Sequence, residues 1–130
     1  MSRSATVTHA KEIPIEEARR LFTLTPEGDL LRNLSHGRWK AGGSVVFLRL
    51  DPRAQEFRAK VWIKGSEFQA PRVIWALANG RSPDPRKVID HIDRNTLNNA
   101  PSNLREVTRH ANSVNREFRP AAPTPEEAGP

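Results

Sequence analysis

The stretch Lys87-Val88-Ile89-Asp90-His91-Ile92-Asp93 decides how the rest of the chain is read. It has β character, and side chains alternate faces along a strand, so Asp90 and His91 stand on opposite faces at the end of an apolar run. An acid and an imidazole in that position are a candidate metal ligand and a candidate proton acceptor. A polar run follows to Asn103, and a basic segment extends from Leu104 to Arg116. Asn103 and Asn112 fall at distances that suit a strand, a long ordered loop, a second strand and then a helix. The remaining sequence reads as support for that site.

With 130 residues, 36% of them hydrophobic, the chain has room for one modest domain. The expected division is a flexible N-terminus over 1–12, a domain over 13–119 and a disordered proline-rich tail over 120–130. Cysteine is absent, which excludes disulfides and thiolate zinc sites and leaves oxygen and imidazole as ligands. A hard divalent ion such as Mg²⁺ suits that chemistry. No apolar run reaches membrane-spanning length and the first residues lack the apolar segment of a secretory signal, so a cytoplasmic protein is expected. Lys and Arg number 21 against 15 acids, a net charge of +6. A polyanion is the natural partner, because arginine forks match phosphate oxygens and basic surfaces release counterions on binding. Charge alone does not choose between DNA and RNA.

Taken in order, Ile13 to Phe22 predicts a short helix, with Pro14 near its start, acids in the first turn and arginines in the last. Thr23 to Leu31 predicts a hairpin around Pro26 and Gly28. From Asn33 to Ser44 a polar loop is expected, either touching phosphate through Lys40 and the glycine amides or simply anchored by Trp39. His9 and His36 read as incidental or solvated, and His110 as a phosphate contact or surface residue, with a metal ligand as its alternative. Ser44 to Leu50 predicts a strand. Phe57 to Lys64 alternates, with Phe57, Ala59, Val61 and Ile63 on a core face and Arg58, Lys60, Trp62 and Lys64 on the other. That second face is either a nucleic-acid surface or a solvated outer face. Gly65-Ser66 suggests a two-residue turn, and Pro71 to Gly80 a buried helix containing Trp75. Thr108 would cap a last helix running to about Arg119, with Val114 and Phe118 buried.

Singly, the site residues carry little weight, since Asp-His pairs are common and asparagines often mark turns. Together they place Asp90 at a strand end, His91 beside it and Asn112 in the first turns of a helix, where its amide oxygen can reach a shared metal. Two oxygen ligands leave positions open for water and phosphate.

These residues resemble the HNH endonucleases with a ββα-metal site, especially the phage and intron-encoded group similar to homing nucleases and nickases. The resemblance lies in Val88-Ile89-Asp90-His91-Ile92-Asp93, Leu97-Asn98-Asn99, Ser102 to Thr108 and Ala111 to Arg116, and extends upstream to about residue 15. It implies a small single-domain α+β fold, with short antiparallel strands and hairpins followed by a ββα-metal module over about 87–119. It further implies that Asp90 and Asn112 hold Mg²⁺ or Mn²⁺, that His91 is the general base, and that Asn103 fixes the loop and so the histidine. Asparagine stands where other members carry the last histidine. The implied reaction is hydrolysis of phosphodiesters in double-stranded DNA, nicking or cutting both strands, without a small-molecule cofactor beyond the metal. Arg105, Arg109 and Arg116 are the candidate phosphate contacts near the site, with Arg58, Lys60, Lys64, Arg72 and Arg94 as a second group. Arg94 replaces a glycine usual after His-Ile-Asp, and Pro71 replaces a frequent histidine. The resemblance leaves oligomeric state open, with a monomer favoured because nothing marks a dimer surface.

Two rivals accompany this reading. One is a DNA-binding module on the same scaffold that does not cut, acting as a phage regulatory or packaging accessory. The other is a purely structural loop in which Asp90 and His91 are hydrogen-bonded and indifferent to divalent metals.

Overall fold

The computed structural model describes residues 11–112. Arg116, the expected burial of Val114 and Phe118, the helix beyond Asn112, His9, most of the expected N-terminal segment and the whole C-terminal tail lie outside these residues. Among the described residues the elements follow in order: α1 (Ile15–Leu21), β1 (Phe22–Leu24), β2 (Leu30–Arg32), β3 (Phe47–Asp51), β4 (Glu56–Ile63), β5 (Ser66–Gln69), α2 (Ala70–Asn79), β6 (Lys87–His91), a 3₁₀ turn (Pro101–Asn103), β7 (Leu104–Thr108) and a helical turn over 109–112. The strands form three antiparallel sheets, β1-β2, β3-β4-β5 and β6-β7. This is the expected α+β architecture of short hairpins and helices.

The central packing element is α2, which touches α1, β1, β4, β5, β6 and β7. Its sequence explains both ends. Pro71 sits in the first turn, where its missing N–H is not needed. Gly80 closes the helix at φ +78°, and its N–H donates to the Ala76 carbonyl at 2.8 Å. Between them, Ala70 to Ala76 are all buried. Val73, Ile74 and Trp75 meet Val61, Ile63 and Phe68 from the sheet and Ala18, Phe22 and Leu30 from the N-terminal elements. Each such buried aliphatic or aromatic side chain contributes about 1.5–3 kcal/mol of transfer free energy.

Arg72 lies within this buried face, 5% exposed. It donates from Nη1 to the Lys87 carbonyl at 3.0 Å and from Nη2 to the Asp84 carbonyl at 3.4 Å. This corrects its expected place on DNA: its cation ties α2 to the turn that launches β6. On the other side of that turn, Arg81 reaches from the end of α2 to Glu106 at 2.8 Å and lies over the Trp75 ring at 4.7 Å. The β6-β7 hairpin is therefore fixed to α2 by polar contacts as well as by Leu104 in the core.

Four local expectations are corrected. The β3 strand begins at Phe47 rather than Ser44, and its Leu48 and Leu50 are exposed. Phe57, expected in the core, is 51% exposed, near the start of β4 where it pairs with the equally exposed Leu50. The β4-β5 turn is Lys64-Gly65, with φ +49° and +79°, and Ser66 already pairs with Ile63. Positive φ at both residues matches the right-handed twist of the flanking strands and outweighs the preference of Lys64 for negative φ. Trp39 does not anchor its loop: it is 53% exposed, at a tight turn closed by reciprocal bonds between His36 and Trp39, with Arg32 and Arg38 against its ring.

Candidate active site

The β6-β7 hairpin builds the site. Asp90 pairs in register with Arg105 and His91 with Leu104, so the long loop leaves the strand directly after the histidine. Asn103 ties that loop together. Its Oδ1 accepts the Asp93 N–H at 3.0 Å, its Nδ2 donates to Asp93 Oδ1 at 2.9 Å and to the Asn98 carbonyl at 2.8 Å, and its own carbonyl accepts the Ile92 N–H at 2.8 Å. It is 9% exposed. The side chain acts on loop shape rather than on a reacting atom.

Asp93 is the acceptor at the centre of this loop. Burial works against its charge, yet bonds from the Asn98 side chain, the Asn95 N–H and the Asn103 side chain outweigh that and hold its carboxyl below the usual value. After β7, Thr108 Oγ1 accepts the Ala111 N–H at 3.0 Å, the cap expected from the sequence, and residues 109–112 are helical.

The first turn of that helix carries Asn112 to the strand end. Asp90, His91 and Asn112 line one cleft of about 280 Å³, with Glu56, Arg58 and Arg94 on its walls. An adjoining cleft contains His91, Arg58 and Lys60. Asp90 is 9% exposed, and its Oδ2 takes both Nε and Nη2 of Arg105. His91 Nε2 lies 2.7 Å from Asn99 Oδ1. In the sequence, Asn99 stands only within Leu97-Asn98-Asn99, with nothing in that stretch to single it out. Its one sequence signal is position, eight residues after the histidine in a polar loop.

Among the described residues, no three of His, Cys, Asp or Glu gather as a metal cage. The oxygen donors at the cleft are the Asp90 carboxylate and the Asn112 amide. That pair fits a hard divalent ion that keeps most of its water shell and completes it with phosphate oxygens.

The cations expected on nucleic acid divide by position. Arg58, Lys60 and Arg94 border the clefts that contain His91. Arg58 is held loosely, 3.7 Å from Asp51 and 3.8 Å from Glu56, and its buried Nε makes no hydrogen bond. Arg105 is turned onto Asp90, and Arg109 is exposed at the start of the helical turn. Lys64, expected beside Arg58, lies instead in the β4-β5 turn within 3.5 Å of Glu17, so the alternation of β4 does not carry it to the cleft. Arg94 adopts φ +66°, the conformation that a glycine at this position would take freely. The replacement keeps the turn, closed by the Arg94 N–H on the His91 carbonyl at 2.8 Å, and adds a cation to the cleft wall.

Comparison with known proteins bears on the fold and on one stretch of the sequence. The fold is similar to that in the structure reported as "DNA binding and cleavage by the HNH homing endonuclease I-HmuI", at TM-score 0.56 and 19% sequence identity, over 89% of this chain and 63% of that one. The chain thus spans less than two thirds of that protein's length. No curated protein matches the sequence. The family described as HNH endonuclease matches residues 69–114, a stretch that contains α2, the β6-β7 hairpin and Asn112. That match covers less than half of the chain, and over it the sequence is similar to the HNH endonucleases.

Proposed function

We propose that the protein is a divalent-metal-dependent DNA endonuclease that hydrolyses phosphodiester bonds at the His91 cleft. The observation that carries this reading is the meeting of Asp90, His91 and Asn112 on one cleft, from a strand end and a helix start. Asp90 and Asn112 bind the metal, Mg²⁺ or Mn²⁺. His91 takes a proton from the attacking water on Nδ1, because Nε2 is engaged by Asn99. A bound divalent ion supplies charge neutralisation at the phosphate and at the leaving 3′ oxygen. Arg58, Lys60 and Arg94 hold the DNA backbone against the cleft, and Arg105 and Arg109 flank it. Products carry 5′-phosphate and 3′-hydroxyl ends. The substrate is double-stranded DNA, in agreement with the positive net charge of the chain.

One observation favours a second reading, a DNA-binding module that does not cut: Arg105 already neutralises Asp90. End-labelled random-sequence duplexes incubated with the protein and Mn²⁺ separate the two. Shortened products that accept a 3′-end label support hydrolysis. Retarded but intact duplex, equally with Mn²⁺ or with chelator, supports the binding module and rejects the nuclease.

A further inference from the structure

The His91 ring is held by one side chain, and that side chain is held by a part of the chain far upstream. Asn99 is 4% exposed, and its amide oxygen lies 2.7 Å from His91 Nε2. An amide oxygen only accepts, so the imidazole proton is kept on Nε2 and the lone pair stays on Nδ1. An imidazole without this partner exchanges tautomers and rotates, and presents that lone pair correctly for only part of the time.

Asn99 has little freedom of its own. Gly28, in the β1-β2 turn, lies directly against the backbone of Asn99 and Ala100. A Cβ at Gly28 would stand 2.2 Å from the Asn99 carbonyl carbon, 2.3 Å from its oxygen and 2.4 Å from the Ala100 nitrogen. Only a residue without a side chain allows that approach, and Gly28 is also at φ +92°. The turn that carries it is firmly closed. The Gly28 N–H donates to the Thr25 carbonyl at 3.0 Å and the Asp29 N–H to Thr25 Oγ1 at 2.9 Å. Asp29 Oδ1 in turn accepts the Leu30 N–H at 2.8 Å and the Ser44 hydroxyl at 2.6 Å. From the opposite side, Asn103 fixes the Asn98 carbonyl. Asn99 is thus set between a hairpin and the interior of its own loop.

We propose that Asn99 is a positioning residue for His91, and that the N-terminal hairpin, through Gly28, sets the place from which Asn99 acts. The proposal rests on the nuclease reading in taking His91 as the base. It extends that reading by making a hairpin outside the family-matched stretch part of the catalytic arrangement. Neither Gly28 nor Asn99 lines the clefts, so their loss acts on turnover rather than on DNA binding.

The test uses the full chain, with Asn99→Ala, Gly28→Ala and the exposed neighbour Glu27→Ala as control. Long-range ¹H–¹⁵N spectra of the metal-free protein report the His91 tautomer, and steady-state cleavage of a DNA duplex with Mn²⁺ reports kcat and KM. The wild type and Glu27→Ala should show the Nε2–H form. Asn99→Ala and Gly28→Ala should show mixed tautomers and a kcat lower by about 10- to 100-fold with KM within about twofold. Ser44→Ala loosens the same turn without adding an atom and replaces Gly28→Ala if that variant does not fold. An Nδ1–H wild type overturns the proposal, as does an unchanged tautomer and kcat in Asn99→Ala. A changed tautomer in Asn99→Ala alone, with both turn variants like wild type, removes the hairpin from it. Tautomer changes as expected in a protein that cuts no DNA support the positioning and reject the nuclease reading.

Discussion

Arg105 closes on a single oxygen of Asp90, with Nε at 2.9 Å and Nη2 at 2.8 Å from Oδ2. The two residues are direct cross-strand partners, so the contact follows from the register of the β6-β7 hairpin. The same carboxylate is thus paired with a guanidinium and is the only acid of the proposed metal pair.

From this pairing, Arg105→Ala should lower the stability of the metal-free protein by about 1–3 kcal/mol, because a carboxylate that is mostly buried loses its partner. A divalent ion then restores the missing charge. Thermal unfolding with increasing Mn²⁺ should show a larger rise in Tm for Arg105→Ala than for wild type, and none for Asp90→Asn. An equal or smaller rise in Arg105→Ala would mean that Arg105 helps hold the ion instead of competing with it.

Arg94 pays a conformational penalty at φ +66° that glycine does not. Arg94→Gly should therefore stabilise the protein by about 0.5–1 kcal/mol in urea unfolding, even after the greater freedom of glycine in the unfolded chain. The same change removes a cation from the cleft wall, so KM for DNA should rise while stability improves. A loss of stability would show that contacts of the side chain outweigh the strain.

Glu106, like Asp93, contributes pH dependence to the hairpin. The Arg81 guanidinium and, against the effect of burial, the Asp84 N–H at 2.6 Å hold its carboxyl below the ordinary value. A carboxyl depressed in the folded state stabilises fully above its unfolded value near 4.5 and loses that contribution as pH falls through the folded value. Glu106→Ala should cost about 2 kcal/mol at neutral pH. The difference from wild type should shrink below about pH 4 in denaturant titrations. A pH-independent difference would assign the loss to packing.

Asn103 uses both ends of its amide, so its two closest replacements should behave differently. Asn103→Ala removes the bonds to Asp93 and Asn98 and should cost about 2–3 kcal/mol. Asn103→Asp matches the shape but loses both donors and sets a second carboxylate against Asp93, so it should be no less damaging at neutral pH and recover partly in acid. Hydrogen exchange at Ile92 and Asp93 would register both effects, and full retention of protection in Asn103→Asp would contradict this role.

The sequence was informative where a rule is local. Pro71 and Gly80 bracket α2, β4 shows its alternation, and Thr108 announces its cap through the residue types that follow. Asp90, His91 and Asn112 were legible together because strand, loop and helix lengths fix where they return. Relations set by tertiary contact were not legible. Arg72 looks like a surface cation until the carbonyls of Asp84 and Lys87 are placed beside it. Lys64 follows the alternation of β4 in sequence but occupies the turn in space. Asn99 and Gly28 are ordinary loop residues until two distant turns touch, and no short-range pattern encodes that approach.

The central claim is that His91 is the base of a metal-dependent nuclease. It is tested most directly on supercoiled plasmid, with wild type, His91→Ala and Asn112→Ala, in Mg²⁺, Mn²⁺ or chelator. Wild type should yield open-circle or linear DNA only with metal, and His91→Ala should fall by about 10²-fold or more. Asn112→Ala should need more metal for the same cleavage. Cleavage by His91→Ala at the wild-type rate, or by wild type in chelator, would contradict the assignment.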